Sequence, residues 1–480
     1  MTSNLLIILS DEHQARAMGC AGHPFVQTPN LDALAAQGIR FSNAYTPSPI
    51  CVPARAALAT GRFVHEIRLW DNAMPYIGYP PSWGHALQQK GVAVESIGKL
   101  HYRDAADPVG FDQEHLPMQV AGGVGMVWAS IREEDKRTAP PGGGRMLGAY
   151  IGPGSSPYTE YDAAITQRAC QWLQERASTG NKRPWCLFVG LVAPHFPLVV
   201  PQSFHDLYPA ALLPEVKLHP STGYRHHPWV AKQKALMDSE TQFTSAAERL
   251  SARSAYYGLC SWLDYNVGQI LKALEQSGLH ESTTLVYSSD HGDNVGARGL
   301  WGKSNFYQES VQIPMIVAGP ELAPGCCETP VSLLDLSKTI AQHFGADIAA
   351  SPGVRSLYDI AAEPTFSARP IFSEYHAVGA VSGGFMLRKG RWKFNYYVGF
   401  APELFDLVAD PEELDDLAGA PAHRATQAHM EAALREICDP EAQSQQAFAD
   451  QAALIQSYGG REAALKLGAP GATPAPKRLA

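Results

Sequence analysis

The sequence predicts an α/β fold: a large domain with a central, mostly parallel sheet between helices, and a small C-terminal antiparallel-sheet domain. Three observations predict it. Short β-rich apolar runs alternate with longer helical patterns, as in a layered parallel sheet. The runs are apolar throughout rather than alternating, as in strands covered on both faces. After about residue 365 the pattern changes to short segments of antiparallel character.

The elements follow in chain order. Leu5 to Leu9 is a continuous apolar run, read as the first strand. Thr28-Pro29-Asn30-Leu31 opens a helix: Thr28 can cap it, Pro29 suits its first turn and Gly38 can end it. Trp185 to Val192 reads as a second buried strand. In 252–276, Tyr256, Leu259, Cys260, Leu263, Val267, Ile270, Leu271 and Leu274 recur near a 3.6 period, which predicts an amphipathic helix. Thr284 to Tyr287 and Ile313 to Val317 read as further strands, and Val331 to Phe344 as a helix. Phe385 to Leu387 and Trp392 to Tyr397 read as antiparallel strands, and 441–464 as helical. The expected division is 1–365 for the large domain, 366–440 for the small domain, and 441–480 for a helical and extended tail. The tail and the segment 118–160 are candidates for shaping a pocket or a neighbouring subunit's edge, so a homo-oligomer is expected. The glycine-rich stretch Pro140 to Arg145 lacks the Lys-Ser/Thr ending of a phosphate-cradling loop and reads as a surface loop.

Composition narrows the function. The 480 residues carry 38 Lys and Arg against 47 Asp and Glu, a net charge of −9. With no basic run, the chain lacks the electrostatic footprint of a nucleic-acid binder and the polybasic signal for an anionic membrane. No run of about 18 apolar residues could span a bilayer. The start, Met1 to Asp11, has too short an apolar run for a signal peptide and no basic region, so a cytoplasmic chain is expected. The eight cysteines are scattered without CxxC spacing, which favours small buried hydrophobes over a disulfide framework.

Three predicted strands end in polar residues: Asp11 with Glu12, His195, and Asp290 with His291. In open α/β sheets ligands bind beyond the carboxyl ends of the strands, so these groups are expected to meet in one crevice. Asp11, Glu12 and Asp290 offer hard oxygen ligands suited to Ca²⁺ or Mg²⁺. His226-His227 lacks partners at ligand spacing and reads as a loop at the substrate entrance.

The segment Ser48-Pro49-Ile50-Cys51-Val52-Pro53-Ala54-Arg55, followed by Thr60-Gly61-Arg62, carries the most specific signal. Here the sequence resembles the formylglycine-dependent sulfatases of the alkaline-phosphatase-like superfamily, whose signature is Cys-x-Pro-Ser/Ala-Arg with Thr-Gly-Arg downstream. The resemblance implies that a maturase oxidises Cys51 to formylglycine, whose hydrate supplies the nucleophile for a sulfate monoester. The likeness continues along the chain. Ile97-Gly98-Lys99-Leu100-His101 resembles an element in which Lys99 pairs with a sulfate oxygen and His101 takes a proton from the hydrate. Ala193-Pro194-His195-Phe196-Pro197 resembles the segment of the histidine that protonates the leaving oxygen. Ser289-Asp290-His291-Gly292 resembles the second metal motif, and Leu300-Trp301-Gly302-Lys303 the motif whose lysine bridges sulfate and leaving group. Arg55 is implied to hold the formylglycine oxygen and support the metal. Leu387 to Lys393, Leu404 to Leu407 and Asp410 to Glu413 resemble the family's C-terminal sheet domain.

Two departures place the chain within the family. Glu12 stands where many members have a second aspartate, and His291 where many have asparagine. His291, with Asn72 as a group near the sulfate, resembles the choline-sulfatase and phosphonate monoester hydrolase branch. Lys99 and His101 favour sulfate esters, with phosphonate monoester or phosphodiester hydrolysis as the alternative. The implied metal ligands are Asp11, Glu12, Cys51, Asp290 and His291. The resemblance implies one divalent metal, Ca²⁺ first, with Mn²⁺ or Mg²⁺ as alternatives.

Overall fold

A computed structural model describes residues 4–139, 145–180, 183–363, 366 and 368–476. The Pro140 to Gly144 part of the glycine-rich stretch lies outside the described residues, and Arg145 at its end pairs with Glu248 at 2.7 Å.

The main sheet has eight strands: β1 (Asn4–Asp11), β2 (Ile39–Phe41), β3 (Ala93–Lys99), β4 (Gln113–Met118), β5 (Trp185–Pro194), β6 (Thr283–Ser289), β7 (Met315–Ala318) and β8 (Gly325–Cys327). Their order is β8-β2-β7-β6-β1-β5-β3-β4. The five central and edge pairings β6–β1, β1–β5, β5–β3, β3–β4 and β8–β2 are parallel, and only β7 runs against its neighbours. The mostly parallel sheet predicted from the apolar runs is the sheet observed.

Strand β1 shows why those runs are apolar. Leu6 and Ile8 point into one core, which holds Ile165 and Leu173 of helix α3 (Pro157–Ser178) and Leu259, Leu263 and Val267 of helix α4 (Ala246–Gln276). Leu5, Ile7 and Leu9 point into a second core. That core holds Ala56 and Leu58 of helix α2 (Cys51–Thr60), and Leu336 and Ile340 of helix α5 (Leu333–His343). Every residue of β1 is buried because both faces of its pleat are covered. Burying one such leucine or isoleucine contributes about 1.5–3 kcal/mol, and the whole set fixes the register that aligns the strand ends.

Details differ from the sequence reading. Helix α1 (Pro29–Gln37) forms as predicted, but Thr28 does not cap it. Its hydroxyl instead donates to Asp32 and accepts from the Gly19 amide. The Asp264 carboxylate on α4 caps the helix, accepting from the amides of Asn30 (3.2 Å) and Leu31 (2.8 Å). Gly38 ends α1 in extended rather than left-handed backbone, and a Cβ there would lie 2.5 Å from the Val317 carbonyl oxygen. The predicted strand from Ile313 to Val317 is two strands, Gln312–Ile313 and β7, because Pro314 offers no amide to continue one ladder. Val331 and Ser332 form a short strand, and the predicted helix begins at Leu333. Of the cysteines, Cys51, Cys186, Cys260 and Cys438 are buried, whereas Cys326 is exposed on the edge strand β8.

The small sheet is an antiparallel meander of Ile371–Tyr375, Gly384–Lys389, Trp392–Tyr397 and Glu403–Asp406. One face packs on Tyr45, Ile50, Phe306 and Tyr307 of the large unit, so the two share a core. The Glu374 amide also bonds the Pro47 carbonyl at 2.9 Å, which ties the sheet to the loop leading into Cys51. Among the described residues, no helix is long and apolar enough to cross a membrane.

Candidate active site

The carboxyl ends of β1, β3, β5 and β6 converge, as the strand-end residues predict. Cys51 is the first residue of α2, so it meets these ends where the helix presents unbonded amides. Asp11, Cys51, Asp290 and His291 are buried, and their ligand atoms all lie within 4.8 Å of one another. Cys51 Sγ is 3.2 Å from His291 Nε2 and 3.6 Å from Asp11 Oδ1. His291 Nδ1 lies 3.2 Å from the Gly292 carbonyl, which can only accept, so the proton sits on Nδ1. The Nε2 lone pair therefore faces the group, as a metal ligand requires.

Arg55 organises the carboxylates. Its Nε donates to Asp290 Oδ2 (2.7 Å), one terminal nitrogen to Asp11 Oδ2 (3.1 Å) and the other to the Lys99 carbonyl (2.9 Å). Lys99 Nζ is 2.6 Å from Asp11 Oδ2. Burial raises the pKa of Asp11, but Lys99, His195 and Arg55 outweigh it and hold that carboxyl well below its usual range. The hydrogen bonds of Arg55 thus go to the two acids and the Lys99 carbonyl, and not to Cys51.

Glu12 faces a second cluster. Its Oε2 is 3.0 Å from Lys303 Nζ and 3.4 Å from His195 Nε2, and Asp11, Glu12 and His195 form a second set of converging ligand atoms. Burial pushes Glu12 well above its usual range; Lys303 opposes this, while neighbouring Asp293 and Asp11 add to it. Its Oε1 is buried without a hydrogen-bond partner. A cation at this acid-rich site would answer both features, so the residues present fit a divalent metal. Asp11, Asp290 and His291 would hold it at the Cys51 position, with Glu12 beside them. Glu12 takes a left-handed φ of 69°, a strained conformation for a non-glycine residue that aims its side chain into the site.

The basic groups surround this centre. His101 is buried at the end of β3 with φ 63°. Burial, then Lys99 and Arg55, hold it well below its ordinary pKa, as a neutral ring. His195 follows β5, its Nδ1 2.5 Å from the Phe196 carbonyl and its Nε2 turned to Glu12. Burial and Lys303 keep it neutral too. Burial lowers the pKa of Lys303, but Cys51, Glu12 and Asp11 outweigh it and keep the ammonium protonated. Lys303 also lies 4.8 Å over the Phe196 ring. Asn72 lines the same pocket, and its Oδ1 accepts from the Val52 amide at 3.2 Å, occupying one of the open amides of α2.

The structure therefore lines one cavity with Cys51, Asn72, Lys99, His101, His195 and Lys303, and buries Asp11, Glu12, Arg55, Asp290 and His291 against them. His226 and His227 do not line it. They face a separate cavity with Glu403 and Glu413, bonded to the carbonyls of Arg298 and Ala401, and His227 caps the helix Pro228–Lys234. Sequence reasoning missed Asp293, which holds the Lys303 loop through the Gly302 amide at 3.1 Å, and Tyr158, Met237 and Thr473 on the pocket wall. Asp293 directly follows the recognised Ser289–Gly292 motif, the one signal that could have found it; the wall residues come from distant segments with no shared pattern.

Comparison with known proteins fits this geometry. A sulfatase family model matches residues 3–346, and the N-sulphoglucosamine sulphohydrolase C-terminal model matches 296–439. The chain is 33% identical to a choline-sulfatase of Rhizobium meliloti (strain 1021), covering 89% of this chain and 85% of that protein. It is 28% identical to arylsulfatase K of Canis lupus familiaris, covering 86% and 79%. The crystal structure of the phosphonate monoester hydrolase of Agrobacterium radiobacter shares the fold, with a TM-score of 0.75 at 21% identity over 91% of this chain and 95% of that one. Fold and sequence together define a sulfuric ester hydrolase. The chain belongs to the sulfatase family.

Proposed function

We propose that this enzyme hydrolyses a small organic sulfate monoester, using formylglycine made from Cys51 by a maturase and one divalent metal ion. One observation carries the reading: Cys51, inside the Cys-x-Pro-Ala-Arg sequence, stands at the start of α2 within reach of Asp11, Asp290 and His291.

Formylglycine at position 51 would supply a hydrated aldehyde as nucleophile, and a divalent cation would supply positive charge beside it. The chain's own residues do the rest. Lys99, Lys303 and Asn72 bind and orient the sulfate oxygens. Neutral His101 has a free lone pair to take a proton from the nucleophile side. His195 Nε2 and Lys303 Nζ converge on the Glu12 side; Lys303 carries the proton for the leaving oxygen, and neutral His195, its Nδ1 turned to the Phe196 carbonyl, offers Nε2 as an acceptor beside it. Lys303 is protonated in the resting site, so its proton is in place before substrate arrives. The pre-set cations favour the charge that builds on the transferred group.

The outer pocket wall indicates the leaving group. Met126, Met146, Tyr158, Phe196, Met237 and Trp301 offer apolar and aromatic surface beside Gln233, Lys234 and Ser239, and no carboxylate is among the described lining residues. A compact apolar alcohol fits this wall, and a quaternary ammonium would rest on aromatic faces alone. The choline-sulfatase relative makes choline sulfate the first ester to assay. A panel of choline sulfate, a nitrophenyl sulfate and a phenyl phosphonate ester tests the reading. Turnover of either sulfate above the phosphonate supports it; faster turnover of the phosphonate would move the enzyme to the alternative class.

A further inference from the structure

The tail beyond residue 467 crosses the mouth of the pocket, where Gly471, Ala472 and Thr473 line it beside Cys51, Lys99 and His195. Specific bonds hold it there. The Ala469 amide donates to the Gly125 carbonyl at 3.1 Å, and Trp128 Nε1 donates to the Ala469 carbonyl at 3.0 Å. The Tyr158 hydroxyl donates to the Thr473 carbonyl. Gly468 has φ 76°, and a Cβ on it would lie 1.6 Å from the Gly125 carbonyl oxygen, so only glycine lets the chain pass. Ala475 then packs on the main core.

These anchors place Thr473 Oγ1 2.7 Å from His101 Nε2. His101 is 4% exposed, sits in a left-handed conformation, and its Nδ1 has no hydrogen-bond partner. Thr473 is thus the ring's one hydrogen-bond partner among the described residues.

We propose that Thr473 is a positioning residue for His101 and that the tail from Gly468 to Ala475 is a working wall of the active site. The inference rests on the proposed role of His101 as proton acceptor. A hydroxyl at Nε2 can donate or accept, so it holds the plane of the imidazole in either tautomer and keeps the ring aimed at the nucleophile side, which sets its competence as a base. The anchors matter because the tail comes from the far end of the chain: without them, nothing would hold the hydroxyl at the ring.

The test uses full-length enzyme co-produced with a maturase and a nitrophenyl sulfate as probe. Thr473→Val keeps the shape and removes the hydroxyl. It should lower kcat about tenfold with KM nearly unchanged, and Thr473→Ser should restore most of the loss. Deleting 469–480 should lower kcat and raise KM together, because wall and hydroxyl are both lost. Thermal melts establish that each variant folds. His101→Ala separates the two ideas. If it is inactive while Thr473→Val matches wild type, or Thr473→Ser is as slow as Thr473→Val, the tail proposal is overturned and the His101 reading stands. If His101→Ala is fully active, both fall.

Discussion

Cys51 Sγ lies 3.2 Å from His291 Nε2, although 240 residues separate them. The parallel sheet creates this contact by bringing the end of β6 to the end of β1, where α2 begins. Burial, then Asp11, pushes the Cys51 thiol up to about 11. At neutral pH it is a protonated thiol, a weak nucleophile as it stands. The same enclosure suits a group that is converted before it works.

Cys51→Ala should therefore abolish sulfatase turnover, with kcat reduced by more than about 10³, while the fold is kept. Cys51→Ser should be nearly as slow, because a serine sulfate ester has no second hydroxyl to expel the sulfate. Steady-state rates with circular dichroism as the folding control check both.

Metal binding should be visible without any substrate. At a hundredfold excess over Kd, a bound cation stabilises by about 2.7 kcal/mol, and the melting temperature should rise accordingly. Differential scanning with Ca²⁺, Mn²⁺ and Mg²⁺ ranks the ions. Asp290→Asn should remove the shift, since it takes a charge from the proposed ligand set and from Arg55. A shift that survives in Asp290→Asn would place the ion elsewhere.

Lys303→Met removes the ammonium beside Glu12. It should cost about 10²-fold in kcat, and more on alkyl than on nitrophenyl sulfates, because the poorer leaving group needs its proton more. Equal losses on both would assign Lys303 to binding alone.

The His65–Glu374 pair predicts an acid-sensitive clamp at the join with the small sheet. Burial raises the pKa of Glu374, but His65 and His376 outweigh it and draw it down to about 2. A depressed carboxyl contributes stability that is fully present above its unfolded pKa, near 4.5, and lost as pH falls toward 2. The contribution is roughly 3 kcal/mol for the buried group. Its partner His65 has a raised pKa, opposed by burial and driven by Glu374, so its share fades as pH rises through that value. Glu374→Gln should destabilise the protein most between about pH 5 and 6, and the difference from wild type should shrink on acidification. Urea melts across pH measure it; a constant difference would show that the pair is not ionised in the folded state.

Much of this was legible in the sequence, for local reasons. The central strands announce themselves because both faces of β1, β5 and β6 are buried, so the runs are apolar without interruption. The site acids stand out because a carboxylate directly follows such a run. Cys51, Lys99, His101 and Lys303 sit in short motifs whose residues are neighbours in sequence. What was hidden depends on distant partners. Nothing near Thr28 says that Asp264, more than 230 residues away, will cap α1 in its place. Pro314 divides a strand whose composition reads as continuous. Thr473 lies in a Pro- and Gly-rich tail without periodicity, and only the folded path of 468–475 brings it to His101. The pocket wall is likewise assembled from Met126, Tyr158, Met237 and Trp301, which share no pattern along the chain.

The most direct measurement is the mass of the proteolytic peptide carrying residue 51, taken from enzyme produced with and without a maturase and set beside its sulfatase rate. The lighter aldehyde form should appear with the maturase, and activity should rise in proportion to the fraction converted. Full activity from protein whose residue 51 is still an intact cysteine would contradict it.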